Sequence, residues 1–143
     1  MKTPLFFGIG LLGLLVCLGG CSVSNDDGPP PPIVGGSPAD SVTISEINAA
    51  AALQFENTRM EAMKAIAARP TLSQAAQVHL VRRSYESFNF DNNKVALLEV
   101  LVKNTAFCNT AKEAVLNGLG SLTFEPNKAA ILALLNKRGD LKE

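Results

Sequence analysis

The sequence predicts an all-α domain of three tandem helical hairpins, each about 35 residues long, after a disordered linker. Two observations lead to this prediction. A phenylalanine, an acid and a base recur together at a fixed period, and the segments after them carry apolar residues at helical spacing. Hairpins of this size form either a small α-solenoid-like array or a bundle. We place the helical repeat domain at residues 41–143.

The repeated unit is defined by three phenylalanines that lie 35 and then 34 residues apart. An acid follows each phenylalanine directly, a base follows it by four residues, and an apolar residue precedes it by two. Agreement of several residue types at one period indicates a repeated structural unit. The phenylalanines are Phe55, Phe90 and Phe124, the acids Glu56, Asp91 and Glu125, the bases Arg59, Lys94 and Lys128, and the preceding apolar residues Leu53, Phe88 and Leu122.

Each unit is predicted to contain two helices. The second helix begins at the acid, where Asp91 is a good N-cap and Pro126 suits the first turn. The first helices of the first two units are predicted to begin at the capping boxes Thr43-x-x-Glu46 and Thr71-x-x-Gln74. Asn117-Gly118 and Gly120 are predicted to end the first helix of the third unit. Helical spacing predicts an inward stripe in the middle unit made of Ala75, Val78, Val81, Tyr85 and Phe88.

The N-terminus has the features of a secretion signal over residues 1–20. Lys2 supplies the positive charge, and the apolar run from Leu5 to Val16 is shorter than the roughly 20 residues needed to span a bilayer. The segment Leu18-Gly19-Gly20-Cys21 resembles the lipobox of bacterial lipoproteins. This resemblance implies cleavage between Gly20 and Cys21 and a covalent lipid on Cys21. We predict no cofactor besides this lipid.

The alternative is an ordinary secretory signal that happens to contain a cysteine. Such a signal needs a small-x-small cleavage site of the A-x-A type, and none lies just beyond the apolar run. Cys17 does not fit the lipobox pattern because Val16 precedes it. The lipoprotein family then implies attachment to a membrane of the bacterial cell envelope through the lipid anchor. Ser22, rather than Asp, follows the cysteine, which favours the outer membrane over the inner membrane.

A linker is predicted over residues 21–40, between the lipid site and the helical domain. It contains Pro29–Pro32 among Gly, Ser and Asp residues and has no helical or strand periodicity. At about 3.1 Å per residue an extended segment of this length reaches on the order of 60 Å. A spacer is favoured over a proline-rich recognition site, because no basic or aromatic residue flanks the prolines.

The best copy of the repeat also resembles a known family. The pattern Phe88-Asn89-Phe90-Asp91-Asn92-Asn93-Lys94, followed by an amphipathic helix, is similar to domain of unknown function family 4476. The copies at Phe55 and Phe124 extend the resemblance over residues 43–139. The family implies a helical fold and no activity.

Composition excludes several classes of function. Removal of residues 1–20 leaves 12 basic and 13 acidic residues, so no overall positive field would attract nucleic acid. Neither catalytic residues nor a metal site are predicted, since His79 is the only histidine and Cys108 is the only cysteine of the predicted domain. We expect Cys108 to be a small buried residue. Asp91-Asn92-Asn93 opens like a calcium loop, but Ala96 and Val102 occupy its required glycine and acid positions.

The leading interpretation is a membrane-anchored, non-enzymatic interaction or scaffold module with a protein partner in the envelope. Stacked hairpins present extended surfaces that suit such binding. The alternatives are a binder of an envelope ligand such as peptidoglycan and an envelope-associated enzyme. Each repeated base is expected to form a surface pair with an acid, although a cationic row for an anionic ligand is also considered. The candidate binding residues are Arg59, Lys94 and Lys128 for that row, and Arg82 and Arg83 for a protein contact beside Tyr85 and Glu86.

Overall fold

The computed structural model describes residues 37–139, and within this range it contains six α-helices, one short 3₁₀ helix and no strand. The predicted all-α class is therefore confirmed. The predicted signal, Gly20, Cys21 and most of the predicted linker lie outside the described residues. The helices are α1 (Pro38–Ala51), α2 (Glu56–Ala67), α3 (Gln74–Ser87), α4 (Asp91–Lys103), α5 (Asn109–Gly118), the 3₁₀ helix η1 (Leu119–Ser121) and α6 (Glu125–Arg138).

The helices are arranged in two rows of three. α1 packs against α3 and α3 against α5, while α2 packs against α4 and α4 against α6. The two helices of the first hairpin also contact each other, as do those of the second. Each hairpin therefore packs on its sequence neighbours, which is the arrangement of a short stacked array.

One apolar core is shared by all three hairpins. It takes buried side chains from every α-helix, so no hairpin has a core of its own. Its largest fully buried apolar side chains are Ile47, Met63, Leu80, Leu97, Leu98, Leu101 and Ile131.

The first helix begins earlier than predicted. Ser37 is the N-cap of α1, and its amide donates to Asp40 Oδ2 at 3.0 Å while the Asp40 amide donates back to Ser37 Oγ at 3.4 Å. This reciprocal capping box replaces the one predicted at Thr43 and Glu46, which was wrong. Thr43 lies inside α1 and donates its hydroxyl to the Ala39 carbonyl at 3.1 Å. The end of the predicted linker, residues 38–40, is therefore helical.

The start and the buried face of α3 also differ from the prediction. Ser73 is the N-cap and accepts a hydrogen bond from a backbone amide three residues later at 3.3 Å, so the capping box predicted at Thr71 and Gln74 was wrong. Ala75 is exposed and Val78 only half-buried. Because α3 packs against both α1 and α5 as well as α4, its buried residues are Ala76, Gln77, Leu80, Val81 and Ser84.

The second helix of every hairpin follows a phenylalanine. Phe55, Phe90 and Phe124 are the N-caps of α2, α4 and α6, and none makes a side-chain hydrogen bond at the helix start. Asp91, predicted to be an N-cap, is instead the first residue of α4, so that prediction was wrong. Phenylalanine has no acceptor atom for the free amides of a helix start, which makes it a poor N-cap.

α5 ends at Gly118, within the predicted stop, whereas Gly120 lies in η1. Gly118 has a φ of −82°, which is right-handed backbone, and the chain continues directly into η1. Of the described glycines, Gly139 after α6 has a positive φ, at 74°. Gly118 therefore does not end α5 through a left-handed conformation.

Candidate interaction surface

The acid of each of the first two repeat units binds the backbone of the following hairpin. Glu56 Oε1 accepts a hydrogen bond from the Phe90 amide at 3.3 Å. Asp91 Oδ2 accepts one from the Thr123 amide at 2.6 Å and one from the Phe124 amide at 3.1 Å. The same contact thus joins the first hairpin to the second and the second to the third. We call this carboxylate–amide contact the latch.

The latch favours the ionised form of both carboxylates. Burial opposes ionisation of Glu56, but hydrogen bonds from the Asn93 side chain, at 2.8 Å, and from backbone amides outweigh it and lower the pKa of Glu56. Burial also opposes ionisation of Asp91, whereas two backbone amides and Lys94 bring its pKa below the ordinary value. Both acids therefore carry a charge at neutral pH.

Two of the repeated bases pair within their own unit. Lys94 Nζ donates to Asp91 Oδ1 at 3.3 Å, and Lys128 Nζ donates to Glu125 Oε1 at 2.6 Å. The expected pairing with an acid is thus observed for both. The expected surface location is wrong for Lys94, which is only 7% exposed and completes a buried ion pair.

The remaining base, Arg59, donates its hydrogen bonds to main-chain carbonyls, and its charge also helps to lower the pKa of Glu56. Arg59 donates to the Leu53 carbonyl through Nε at 3.0 Å and through a terminal nitrogen at 2.7 Å. Its other terminal nitrogen donates to the Ser87 carbonyl at the end of α3. Because Lys94 is buried, the three bases do not form an exposed cationic row.

Two buried amide side chains that the sequence analysis missed connect the hairpins at the opposite ends of the helices. Asn104 Nδ2 donates to the Ala67 carbonyl at 2.7 Å and to the Arg69 carbonyl at 2.8 Å. Gln77 Nε2 donates to the Ala106 carbonyl at 2.7 Å. These partners are some 30 residues or more distant in the chain, so no local pattern indicates them.

The three repeated phenylalanines are exposed. Phe55, Phe90 and Phe124 are 71%, 67% and 62% exposed, whereas Phe88 and Phe107 are 3% exposed. Each exposed phenylalanine starts a helix of the row α2, α4 and α6, and the latch joins their turns to one another. We call Phe55, Phe90 and Phe124 the phenylalanine row. A cleft of about 120 Å³ lies between its second and third members.

The cluster predicted on α3 has one exposed cation. Arg83 pairs with Glu86 at 3.1 Å. Tyr85 faces inward, as predicted, and donates to the Val115 carbonyl at 2.9 Å; burial raises the pKa of its hydroxyl. Arg82 is exposed and borders two adjoining clefts of about 470 and 580 Å³, which lie along α3 beside α5 and α1.

The single histidine and the remaining cysteine have structural surroundings. His79 Nε2 lies 2.9 Å from Asn48 Oδ1 and so joins α3 to α1. Burial and then the charges of Arg83 and Arg82 lower the pKa of His79, which favours the neutral ring. Cys108 is the N-cap of α5 and is half-buried, so the expectation of a buried thiol was only partly right.

No group of three or more His, Cys, Asp or Glu side chains in the described part of the chain could hold a metal ion. Among the helices of residues 37–139, none combines the length and the apolar character that a membrane span requires.

Comparison with models of protein families, with curated proteins and with solved structures found no match. The resemblance of the repeat to domain of unknown function family 4476 accordingly stays a prediction from its motif.

Proposed function

We propose that this chain is a lipid-anchored protein of the bacterial cell envelope whose helical domain binds a protein partner and performs no catalysis. The phenylalanine row carries this proposal. Phenylalanine is a poor N-cap, and these side chains contribute little to the core because most of their surface is exposed. Neither helix capping nor core packing therefore explains the residue at this repeated position.

Protein binding explains the row better than folding does. Aromatic side chains are enriched in the buried centres of protein interfaces, where a few of them contribute most of the binding energy. Contiguous apolar groups on a surface mark such sites. Because the latch joins the turns that carry them, the three rings are displayed on neighbouring turns of one packed array.

The anchor is proposed from the sequence. The segment Leu18-Gly19-Gly20-Cys21 supports lipidation of Cys21, and Ser22 supports delivery to the outer membrane. Two or more acyl chains hold a protein stably on a bilayer. The proline-rich linker then acts as a spacer between the lipid and the array.

The experiment is crosslinking in the producing cells, followed by capture of the chain and identification of its partner. We expect a specific partner whose recovery falls at least about tenfold in Phe90→Ser, the size of loss typical of an interface hot spot. Leu116→Gln is the matched control, since Leu116 is 40% exposed but lies outside the phenylalanine row.

Cys21→Ala tests the anchor in the same cells. The parent chain should carry the mass of a lipid on its N-terminal cysteine, and Cys21→Ala, which has no thiol to acylate, should lack that mass. Equal partner recovery with Phe90→Ser and with the parent chain would contradict the binding proposal. A parent chain that carries no lipid on Cys21 would contradict the anchor.

A further inference from the structure

The first and last hairpins expose complementary halves of the contacts that join the hairpins to each other. In the latch, the acid of one unit accepts hydrogen bonds from the turn of the next. Within residues 37–139, the side chain of Glu125, the acid of the third unit, forms a hydrogen bond only with Lys128 and is 82% exposed. Its second carboxylate oxygen is therefore available to a donor.

The donor half of the latch is available at the other edge. The Phe90 and Phe124 amides both donate to the acid of the preceding unit. The equivalent amide of Phe55 has no hydrogen-bond acceptor within residues 37–139. Within residues 37–139, one edge of the array thus has a carboxylate oxygen without a hydrogen-bond donor, and the other has an amide without an acceptor in the equivalent place.

The last hairpin also exposes an apolar side chain whose equivalents in the other hairpins are buried. The residue eight positions after the repeated phenylalanine is Met63, Leu98 or Leu132. Met63 and Leu98 are fully buried, whereas Leu132 is 41% exposed. α2 and α4 are each followed by another packed helix of their row, but within residues 37–139 no helix packs on the far side of α6. This position is therefore covered only where a hairpin follows.

The first hairpin exposes a different apolar position, one that the later units bury. The residue two positions before the repeated phenylalanine is Leu53, Phe88 or Leu122. Phe88 and Leu122 are 3% exposed, whereas Leu53 is 37% exposed. The units that follow another hairpin bury this residue, and the first unit does not.

We infer that a second copy of this chain stacks on the array head to tail. Glu125 of one copy accepts from the Phe55 amide of the other, and Leu132 and Leu53 become covered as their buried equivalents are. The contact continues the interface that already joins the hairpins, with the same carboxylate, amide and apolar positions. Because the two surfaces differ, the contact is heterologous and leaves a free edge at each end of the pair.

The geometry of the inner repeats gives a crosslinking test. Asn127 Nδ2 donates to Asn92 Oδ1 at 3.4 Å. The residue three positions after the repeated phenylalanine of one unit therefore meets the residue two positions after the phenylalanine of the preceding unit. The equivalent positions at the two edges are Thr58 and Pro126. Full-length chains carrying Thr58→Cys and Pro126→Cys, with different tags and Cys108→Ser in both, are produced together and treated with a short bismaleimide.

We expect a crosslink between the two differently tagged chains and none between two identical chains. Adding Glu125→Gln and Leu132→Gln to the chain that carries Pro126→Cys should reduce the yield of this crosslink about tenfold or more. Asn92→Cys with Asn127→Cys in one chain is the positive control for reagent and geometry. No crosslink between the two chains, or an equally strong one between identical chains, would overturn the proposal.

Partner binding and self-association are tested separately. Phe90→Ser should lose the partner. It should keep the head-to-tail crosslink, because Phe90 belongs to the middle unit and lies at neither edge of the array. If that variant loses the crosslink, the second copy binds the phenylalanine row and the head-to-tail arrangement is wrong.

Discussion

The ring of Tyr85 fills the space in which a Cβ atom of residue 118 would lie. A Cβ placed on Gly118 would be 2.0 Å from Tyr85 Cε2, and the tyrosine hydroxyl is held by the Val115 carbonyl at 2.9 Å. Glycine is therefore required here for close packing of α3 on α5.

We accordingly expect Gly118→Ala to lower the free energy of unfolding by about 1–3 kcal/mol, as overpacking does. The greater helix propensity of alanine offsets part of this cost. Urea unfolding followed by circular dichroism measures the change. Gly120→Ala is the control, because nothing lies within 4 Å of a Cβ there. A change in Gly118→Ala no larger than in the control would contradict the steric explanation.

Replacement of an exposed repeat phenylalanine should stabilise the fold. Phe90→Ser supplies an N-cap oxygen to α4 and removes a side chain that is 67% exposed. We expect the free energy of unfolding to rise by about 0.5–1 kcal/mol, within the range of N-cap substitutions. Phe88→Ser, at a position only 3% exposed, should instead lower it by about 3 kcal/mol or more. Chemical denaturation distinguishes the two, and a large loss of stability in Phe90→Ser would show that this ring is structural.

Stability should depend on pH in the acid range through the latch. The pKa values of Glu56 and Asp91 are lower in the folded chain, so the folded state binds fewer protons than the unfolded state. Their contribution is complete above the unfolded values, about 4.3 for Glu and 3.9 for Asp. It is lost as the pH falls through the lower folded values.

The double variant Glu56→Gln with Asp91→Asn should therefore be less stable than the parent at neutral pH. Its stability should also change less with pH between about pH 5 and pH 2. Melting temperatures over that range test this. Parallel curves for the variant and the parent would show that other carboxylates, such as Asp40 and Glu99 with their lowered pKa values, account for the acid dependence.

Asn104 should be sensitive to small changes because it is buried and its amide group satisfies two carbonyls. Asn104→Ala leaves the Ala67 and Arg69 carbonyls without their donor, which costs about 1–3 kcal/mol. Asn104→Asp should cost more, since it places a carboxylate against those carbonyl oxygens. Thermal unfolding compares them, and equal melting temperatures for Asn104→Asp and the parent would contradict the assigned bonds.

Equivalent positions in the second and third hairpins should respond differently to the same substitution. Leu98→Ala, at a fully buried site, should lower the free energy of unfolding by about 2–5 kcal/mol. Leu132→Ala, at a site 41% exposed, should lower it by less than about 1 kcal/mol in dilute solution. Similar losses in the two variants would contradict the difference in burial between these two positions.

The repeated spacing predicted the helices and hairpins because it reflects local periodicity. It did not predict helix starts reliably: Ser37 and Ser73 are the N-caps, although Thr43 and Thr71 also have the pattern of a capping box. Several polar residues in a row offer more than one possible start, and tertiary packing selects among them.

The contacts between hairpins were not predictable from the same pattern. The sequence shows that Lys94 follows Asp91 by three residues, but burial of this pair results from the surrounding hairpins. The bonds of Asp91 to the Thr123 and Phe124 amides join residues more than 30 positions apart. Exposure of the phenylalanine row likewise depends on how the turns are placed, and periodicity alone assigns large aromatic residues to the core.

The latch determines which sequence changes the three repeat units can tolerate. It binds main-chain amides, which every residue except proline possesses, so it places no demand on side chains in the turn it holds. Gln54, Asn89 and Thr123 accordingly differ at one equivalent position. An inserted or deleted residue in that turn would move the amides out of reach. The single residue by which the third unit is shorter lies between Cys108 and Leu122, in the segment of α5 and η1, where a change in helix length leaves the turn intact.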